Sequence, residues 1–315
     1  MFNSTHTFVG LAIARTGAEK WVPHATVTAV IASNLPDIDI VTALWGTPAY
    51  IDLHRGITHT LIGVPILSLL LAAAMYFFSG KFWRTFWVAL IAMATHLLLD
   101  YANAYGVRPF LPRNSTWYYG DVLFIIDPYI DAALLLGIFG GWMWPHRRRL
   151  GAFASLALAL AYISARTELH RMAAANVEAI AAKTRGVENW AVLPEMLNPL
   201  HWEGVIETKT EVVKFPVYAL RHPVAHLDEG TQMDRGPSSE IVAQAATARS
   251  AASLLRFARF PVTRVVQIPS GYRVTFLDFR FYSETTNTAL ASEVILDQSL
   301  HVVKEGLSFV QPINP

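Results

Sequence analysis

The sequence predicts an α-helical integral membrane bundle of about four spans, with a short helical hairpin at its N-terminus and a small soluble α+β domain after it. Three observations lead there. Charged residues make up 16% of the 315 positions, against roughly 25% in soluble domains. The long apolar runs are confined to residues 1–165. From about residue 195 the apolar pattern changes to the alternation of strands. The chain therefore divides into a membrane domain (1–165), a linker helix (166–194) and an α+β domain (195–315).

The hairpin is formed by apolar segments 6–16 and 22–35. At about 1.5 Å rise per residue neither crosses a hydrocarbon core of about 30 Å, so the pair enters part-way or packs on the bundle. Four longer segments follow. Residues 57–78 carry no Lys, Arg, Asp or Glu, residues 83–101 end at Asp100, residues 122–144 hold Asp127 and Asp131, and residues 150–165 are Ala-rich. The last of these is short, and its helix can continue into the polar stretch beyond 165. Farther on, 205–220 alternates as a strand, 239–258 is helical, 260–282 is a hairpin turning at Pro269-Ser270-Gly271, and 289–310 is a hairpin turning near Asp297-Gln298.

Lys and Arg set the expected orientation. Arg15, Lys20, Lys81, Arg84, Arg147, Arg148 and Arg149 fall on turns at one side, and Arg55, Arg108 and Arg113 fall at the other. The first group predicts the cytoplasmic side. The opposite turns and the C-terminal domain would then face the periplasm. The net charge of +1 gives no support for a nucleic-acid partner. There are no cysteines, which excludes thiolate ligands, disulfides and a cysteine nucleophile. The N-terminal apolar stretch carries His6 without a basic region before it, unlike a cleavable signal peptide.

Ionisable residues in membrane segments are expensive to bury and usually functional. In the up-and-down trace they converge on one level. His6 opens the first short helix. Asp37 and Asp39 (LPDIDI) close the second. His54 and His59 (HRGITHT) precede the first full span, with Thr58 as its candidate N-cap and Gly56 as the bend. His96 and Asp100 (HLLLD) end the next span, and Asp121 and Asp127 open the third. His96 and Asp100 share a helix face at i,i+4. Asp37 and Asp39 follow a proline, so an extended turn can point both the same way. Mixed imidazole and carboxylate donors in this number suggest two divalent ions, zinc first and manganese second.

Each residue also has a plain structural reading. Single histidines in apolar helices are usually hydrogen-bonded, Asp37, Asp39 or Asp100 can end a helix, and Asp127 before a proline can cap one. His6, Asp37, Asp39, His54, His59, His96 and Asp100 taken together are hard to explain that way. His24, His146, His170, His201, His222, His226 and His301 lie apart and are read as structural.

The strings THTFVGLAIA, NLPDIDI, HRGITHT, HLLLDYANAYG and WYYGDVLFIIDP resemble the bacterial inner-membrane metal-dependent hydrolases described as LexA-regulated. The resemblance covers about residues 1–165, and the remainder looks like an extension that some members carry. A looser similarity, with different spacings, links the pattern to the all-helical zinc-dependent phospholipase C class. The resemblance implies a hydrolase.

The metal ligands are then His6, Asp37, Asp39, His54, His59, His96 and Asp100. Arg55 would bind a phosphate or carboxylate oxygen through its planar fork. Asp121 or Asp127 would be a further ligand or the base that orients water. A site at the membrane boundary favours an amphiphilic substrate, with a phosphoester of a lipid or lipid-linked carrier first. Metal transport is the rival reading, but 66–78 and 85–94 offer no ligands for a path across the bilayer. A non-catalytic membrane anchor is the third reading, and it leaves the polar cluster without a purpose.

Overall fold

The computed structural model describes residues 1–221, 224–283 and 287–310, so His222 lies outside the described residues. The helices are α1 (Asn3–Ile13), α2 (Glu19–Trp21), α3 (Ala25–Asn34), α4 (Thr47–Leu53), α5 (Gly63–Ser79), α6 (Phe82–Tyr101), α7 (Pro128–Met143), α8 (Arg148–Ala181), α9 (Glu240–Ala245) and α10 (Arg249–Phe257). The strands are β1 (Val187–Pro194), β2 (His201–Thr208), β3 (Glu211–Tyr218), β4 (Thr231–Asp234), β5 (Pro261–Ile268), β6 (Gly271–Asp278), β7 (Ala289–Asp297) and β8 (Val302–Val310). They form two four-stranded sheets, ordered β1-β2-β3-β4 and β5-β6-β7-β8.

Among the described residues three helical stretches are long and apolar enough to cross a membrane: Ala25–Trp45, Phe82–Tyr101 and Pro145–Ala181. A fourth arises if Thr47–His59 and Gly63–Ser79, bent by 75°, count as one broken span. This corrects the expected spans in three places. Segment 22–35 does not stop short: Pro36 ends the α-helical part by removing an amide donor and crowding the preceding turn, but the helical path runs on to Trp45. The chain then tightens into a 3₁₀ helix over Leu35–Trp45. The 57–78 span starts its α-helix only at Gly63. Ile62 is the N-cap there, and Thr58 makes no cap. The 122–144 span yields a helix of only 16 residues, Pro128–Met143.

The chain folds as two compact units: 1–39, 55–172 and 194–202 form one, and 40–54, 173–193 and 203–315 the other. The cut therefore falls inside α8 and not at residue 165. The expected linker helix 166–194 is also revised, since α8 ends at Ala181 and Val187–Pro194 is a strand.

In the helical unit, Ala25, Ala29 and Ala32 of α3 pack with Ala89, Ala92 and Met93 of α6 and with Leu71 and Met75 of α5. Small residues on facing helices let the backbones approach closely. Gly10 of α1 is the clearest case, since a Cβ there would meet Ser33 Oγ at 2.3 Å and Ala29 O at 2.7 Å. A second cluster joins Val9, Leu99, Leu123, Ile130, Leu134 and Ala159. Asp131 binds α1 to α7 by accepting hydrogen bonds from Thr5 Oγ1 at 2.6 Å and Ser4 Oγ at 3.2 Å. Large apolar side chains such as Phe77, Leu136, Phe139 and Trp142 stay exposed on the helices, as a bilayer solvent requires.

In the other unit, the 260–282 hairpin is as expected: β5 and β6 pair antiparallel with Ile268 opposite Gly271. Gly271 takes φ +144°, and any Cβ would strike the Leu296 carbonyl. The single strand expected at 205–220 is instead two strands, β2 and β3, which break at Lys209-Thr210. Segment 40–54 is anchored in this unit: Asp52 accepts Arg256 Nη2 at 2.7 Å and Ser253 Oγ at 2.8 Å from α10.

Candidate metal centre

Four side chains converge at one end of α6. His96 and Asp100 share a face of that helix, His59 ends the 3₁₀ turn Ile57–His59, and Asp37 sits in the 3₁₀ segment after α3. His59 Nε2 lies 3.0 Å from His96 Nε2, 3.3 Å from Asp100 Oδ2 and 3.4 Å from Asp37 Oδ1. His96 Nε2 lies 3.4 Å from Asp100 Oδ2 and 3.6 Å from Asp37 Oδ1. Donors about 2.0–2.2 Å from a tetrahedral ion stand about 3.3–3.6 Å apart, the edge being about 1.6 times the bond. The five separations scatter about that edge.

The protons deepen the argument. His96 Nδ1 lies 2.7 Å from the Ser33 carbonyl oxygen, which can only accept. That nitrogen therefore carries a hydrogen, and Nε2 is the ring atom left to act as an inward donor. His59 Nδ1 sits 3.0 Å from Thr58 Oγ1, whose own hydrogen goes to Asp39 Oδ2 at 3.0 Å. The hydroxyl thus accepts from Nδ1, and Nε2 is the His59 ring atom left to face the cluster. Asp100 Oδ2 is buried without a hydrogen-bond partner. Two imidazole Nε2 atoms and two carboxylate oxygens thus face one point, a donor set that suits a cation.

Supporting groups fix each donor. Asp39 Oδ2 accepts the Arg55 amide at 2.9 Å and lies 3.4 Å from His59 Nδ1. Residues two apart on a 3₁₀ helix point about 120° apart, so Asp37 and Asp39 address opposite edges of the same imidazole. This replaces the extended turn with both carboxylates pointing together. Neither ring nitrogen of His6 makes a hydrogen bond. The His6 ring stacks on His96 at 3.8 Å, with Nε2 3.4 Å from Asp100 Oδ1. The Met1 amino group also donates to Asp100 Oδ1.

Arg55 is 2% exposed and takes φ 53°. Its Nη2 donates to Asp100 Oδ1 at 2.9 Å, and its Nη1 to Asn103 Oδ1 at 3.1 Å and the Gly106 carbonyl at 3.0 Å. Tyr105 covers the guanidinium at 4.6 Å. The fork expected to take a substrate oxygen is thus turned onto Asp100. Asp121, at φ 54°, lies beside the end of α6, where its neighbours Gly120 and Val122 donate to the carbonyls of Tyr101 and Ala102. Asp127 caps α7, accepting from the Tyr129 and Ile130 amides and from Tyr162 Oη at 2.9 Å. His54 ends α4 in the other unit with its ring stacked on Tyr50. Neither His54 nor His59 lies on the first turn of a span.

Three contributors escape a reading by residue type. Ser33 acts through its backbone carbonyl and leaves no trace in the sequence. Asn103 accepts from Arg55 and from the Tyr105 amide; its place three residues after Asp100, just past the end of α6, is the available signal. Asp131 stands in the sequence only as a charge inside an apolar run.

A family model described as YdjM inner membrane protein matches residues 1–173, more than half of the chain. The protein named Uncharacterized protein YfhP, from Bacillus subtilis (strain 168), is 30% identical over 148 residues, covering 44% of this chain and 45% of that protein. The chain thus spans less than half the length of this relative. No solved structure matches. The family match covers the part that holds the His and Asp cluster.

Proposed function

The chain belongs to the YdjM inner membrane protein family, and from that premise we propose that it is a membrane-bound, metal-dependent hydrolase of an amphiphilic substrate. The observation that carries the reading is the four-donor cluster of Asp37, His59, His96 and Asp100, with both Nε2 atoms turned inward. Donors of this mixed type suit zinc first and manganese second. Asp39 orients His59, as carboxylates commonly do for ligating imidazoles. His6, together with a carboxylate, is the donor for a second ion. A divalent ion bound here would supply Lewis acidity and an activated water.

Four protein donors complete a tetrahedral shell, the mark of a structural site. Turnover therefore needs a higher coordination number or the second ion. That requirement keeps a structural-metal reading as the rival, ahead of transport, because α5 carries no His, Asp or Glu.

Substrate class follows from access. His59, His96 and Asp100 are shut from solvent, and Asp37 retains 13% side-chain exposure. The chain neighbours Ile38, Ile57, Leu61 and Ile62 are each more than half exposed. A polar centre flanked by exposed apolar residues suits a molecule with a polar head and a lipid tail, and a phosphoester of a lipid or lipid-linked carrier is the first choice. Asp121 is the candidate to hold or accept a proton beside the site. The Lys and Arg asymmetry favours the periplasmic face for the centre, which a C-terminal reporter working only in the cytoplasm would refute.

The test uses full-length protein in lipid nanodiscs. Wild type should hold one or two equivalents of a transition metal by mass spectrometry and cleave a phospholipid or lipid-linked phosphoester. His59→Ala and Asp100→Ala should lose both. Asp37→Asn should keep part of the metal while activity falls at least about 10-fold, since losing even an outer partner of a metal site typically costs about 10–100-fold. Bound metal without hydrolysis of any phosphoester, carboxylic ester or amide would favour the structural reading, and absence of metal would remove the proposal.

A further inference from the structure

A second feature lies on the helical unit, away from the histidines. α1 meets α7 through Ser4, Thr5 and Asp131 at the end that carries His6. Eleven residues farther along α7, about 16 Å at helical rise, Trp142 closes a groove of about 640 Å³. Leu135, Leu136, Phe139 and Trp142 give it apolar walls, and Arg15 is its one charged lining residue. Arg15 Nη1 donates to the Ile138 carbonyl at 3.1 Å, which pins the guanidinium at the groove.

The surroundings are strongly cationic. Lys20, Arg147, Arg148 and Arg149 join Arg15, and Glu19 is the single acid among residues 15–20 and 146–149. Glu19 is already engaged by Arg148 Nη2 and by Thr26 Oγ1. Arg149 lies over Gly17, where a Cβ would come within 3.7 Å of its guanidinium. An apolar slot with the Arg15 guanidinium in its lining and a second guanidinium, that of Arg149, beside Gly17 matches one molecule in its chemistry: an acyl chain joined to a phosphate. Neutral lipid would fill the slot and leave the cations uncompensated, and a protein helix would leave the phosphate-sized charge unmet.

We propose that this groove is a binding site for an anionic phospholipid, with an acyl chain along Leu135, Leu136, Phe139 and Trp142 and the phosphodiester at Arg15 and Arg149. Basic residues at a bilayer surface attract anionic headgroups by about fivefold in partition for each cation. Fixing the headgroup against a shaped apolar wall adds selectivity to that attraction. The site is independent of the metal centre, so its fate says nothing about hydrolysis.

The experiment measures lipid retained by full-length protein purified in neutral detergent and exposed to equimolar dioleoyl phosphatidylglycerol and dioleoyl phosphatidylcholine, read by native mass spectrometry. Wild type should retain phosphatidylglycerol about tenfold over phosphatidylcholine. Arg15→Gln should lower that preference about fivefold, and Arg15→Gln with Arg149→Gln should abolish it. Arg15→Lys should preserve most of the preference, which separates lost charge from lost folding. Ala132→Trp, which fills the groove and leaves every charge in place, should reduce retention as strongly as the double variant. Arg113→Gln, outside the cationic cluster, should leave it unchanged. Equal retention of both lipids by wild type would overturn the site. So would wild-type retention by Ala132→Trp, which would mean that the basic turns attract lipid without the groove.

Discussion

Arg55 and Arg166 are both buried in the helical unit, and they are compensated in different ways. Arg55 faces a carboxylate, Asp100, and spreads its remaining hydrogens over Asn103 and the Gly106 carbonyl. Arg166 pairs with no carboxylate among the described residues. Its Nε donates to the Val122 carbonyl at 3.1 Å, its Nη1 donates to the Pro199 carbonyl, and it lies 4.2 Å from the Trp202 ring. One arginine balances an anionic cluster. The other uses neutral dipoles and a ring face to hold segment 194–202 onto α8. A buried charge thus identifies a chemical centre only when its partners are themselves ionisable and unsatisfied.

Removing each arginine tests that distinction. Arg55→Met should have the largest effect, because it leaves the Asp100 carboxylate buried without its main cation. Breaking such a pair costs about 3–5 kcal/mol, and both metal content and the melting temperature in nanodiscs should collapse. Arg55→Lys sharpens the point. It keeps the charge and loses the fork that reaches Asn103 and Gly106, so metal affinity should fall about 10–100-fold while the helices persist by circular dichroism. Loss of folding equal to that of Arg55→Met would assign Arg55 a purely structural duty.

Arg166→Met should cost about 2–4 kcal/mol, from lost charge-assisted hydrogen bonds and the ring contact. Metal content should stay at the wild-type level, and segment 194–202 should lose hydrogen-exchange protection. If metal were lost as well, the two arginines would belong to one network and the comparison would fail.

The smallest effect is expected in the other unit, at Glu207. Burial pushes its carboxyl above the ordinary range, with Arg235 pulling the other way. A carboxyl raised in the folded state is most stabilising when protonated. Its contribution is therefore present below the unfolded value near 4.5 and is lost as pH rises through the folded one. Between pH 4.5 and 8, β2 amides should lose protection by less than about 1 kcal/mol after correction for intrinsic exchange, and Glu207→Gln should remove that dependence. An unchanged pH response in Glu207→Gln would show that another group titrates.

The comparison also explains what is legible in the sequence. His96 and Asp100 can be paired from residue numbers because an α-helix fixes i,i+4 neighbours, and the structure sets them 3.4 Å apart. The β5–β6 hairpin is legible for the same reason, since Pro269-Ser270-Gly271 encodes a turn locally. The functions of Arg55 and Ser33 are not, because their partners lie far away in sequence and one of them is a backbone carbonyl. The exit of residues 40–54 from the helical unit is hidden too: IVTALWGTPAYIDL is apolar enough to read as membrane, and only the pairing of Asp52 with Arg256 of α10 shows where it packs. Strand β1 is hidden inside an expected helix because its core-facing residues run consecutively and show no alternation.

The dispersal of the four donors has a consequence for biosynthesis. His59 and His96 are 37 positions apart, and the ribosome adds about 5–20 residues per second. For roughly 2–7 s after His59 is made, the nascent chain carries Asp37 and His59 and lacks the helix that completes the set. During that interval any ion would meet a half-built site with weak, exchangeable affinity. If the centre takes a metal as proposed, its selection belongs to the moment when α6 docks, and the concentrations of free ions at the membrane at that moment would decide which ion is enclosed.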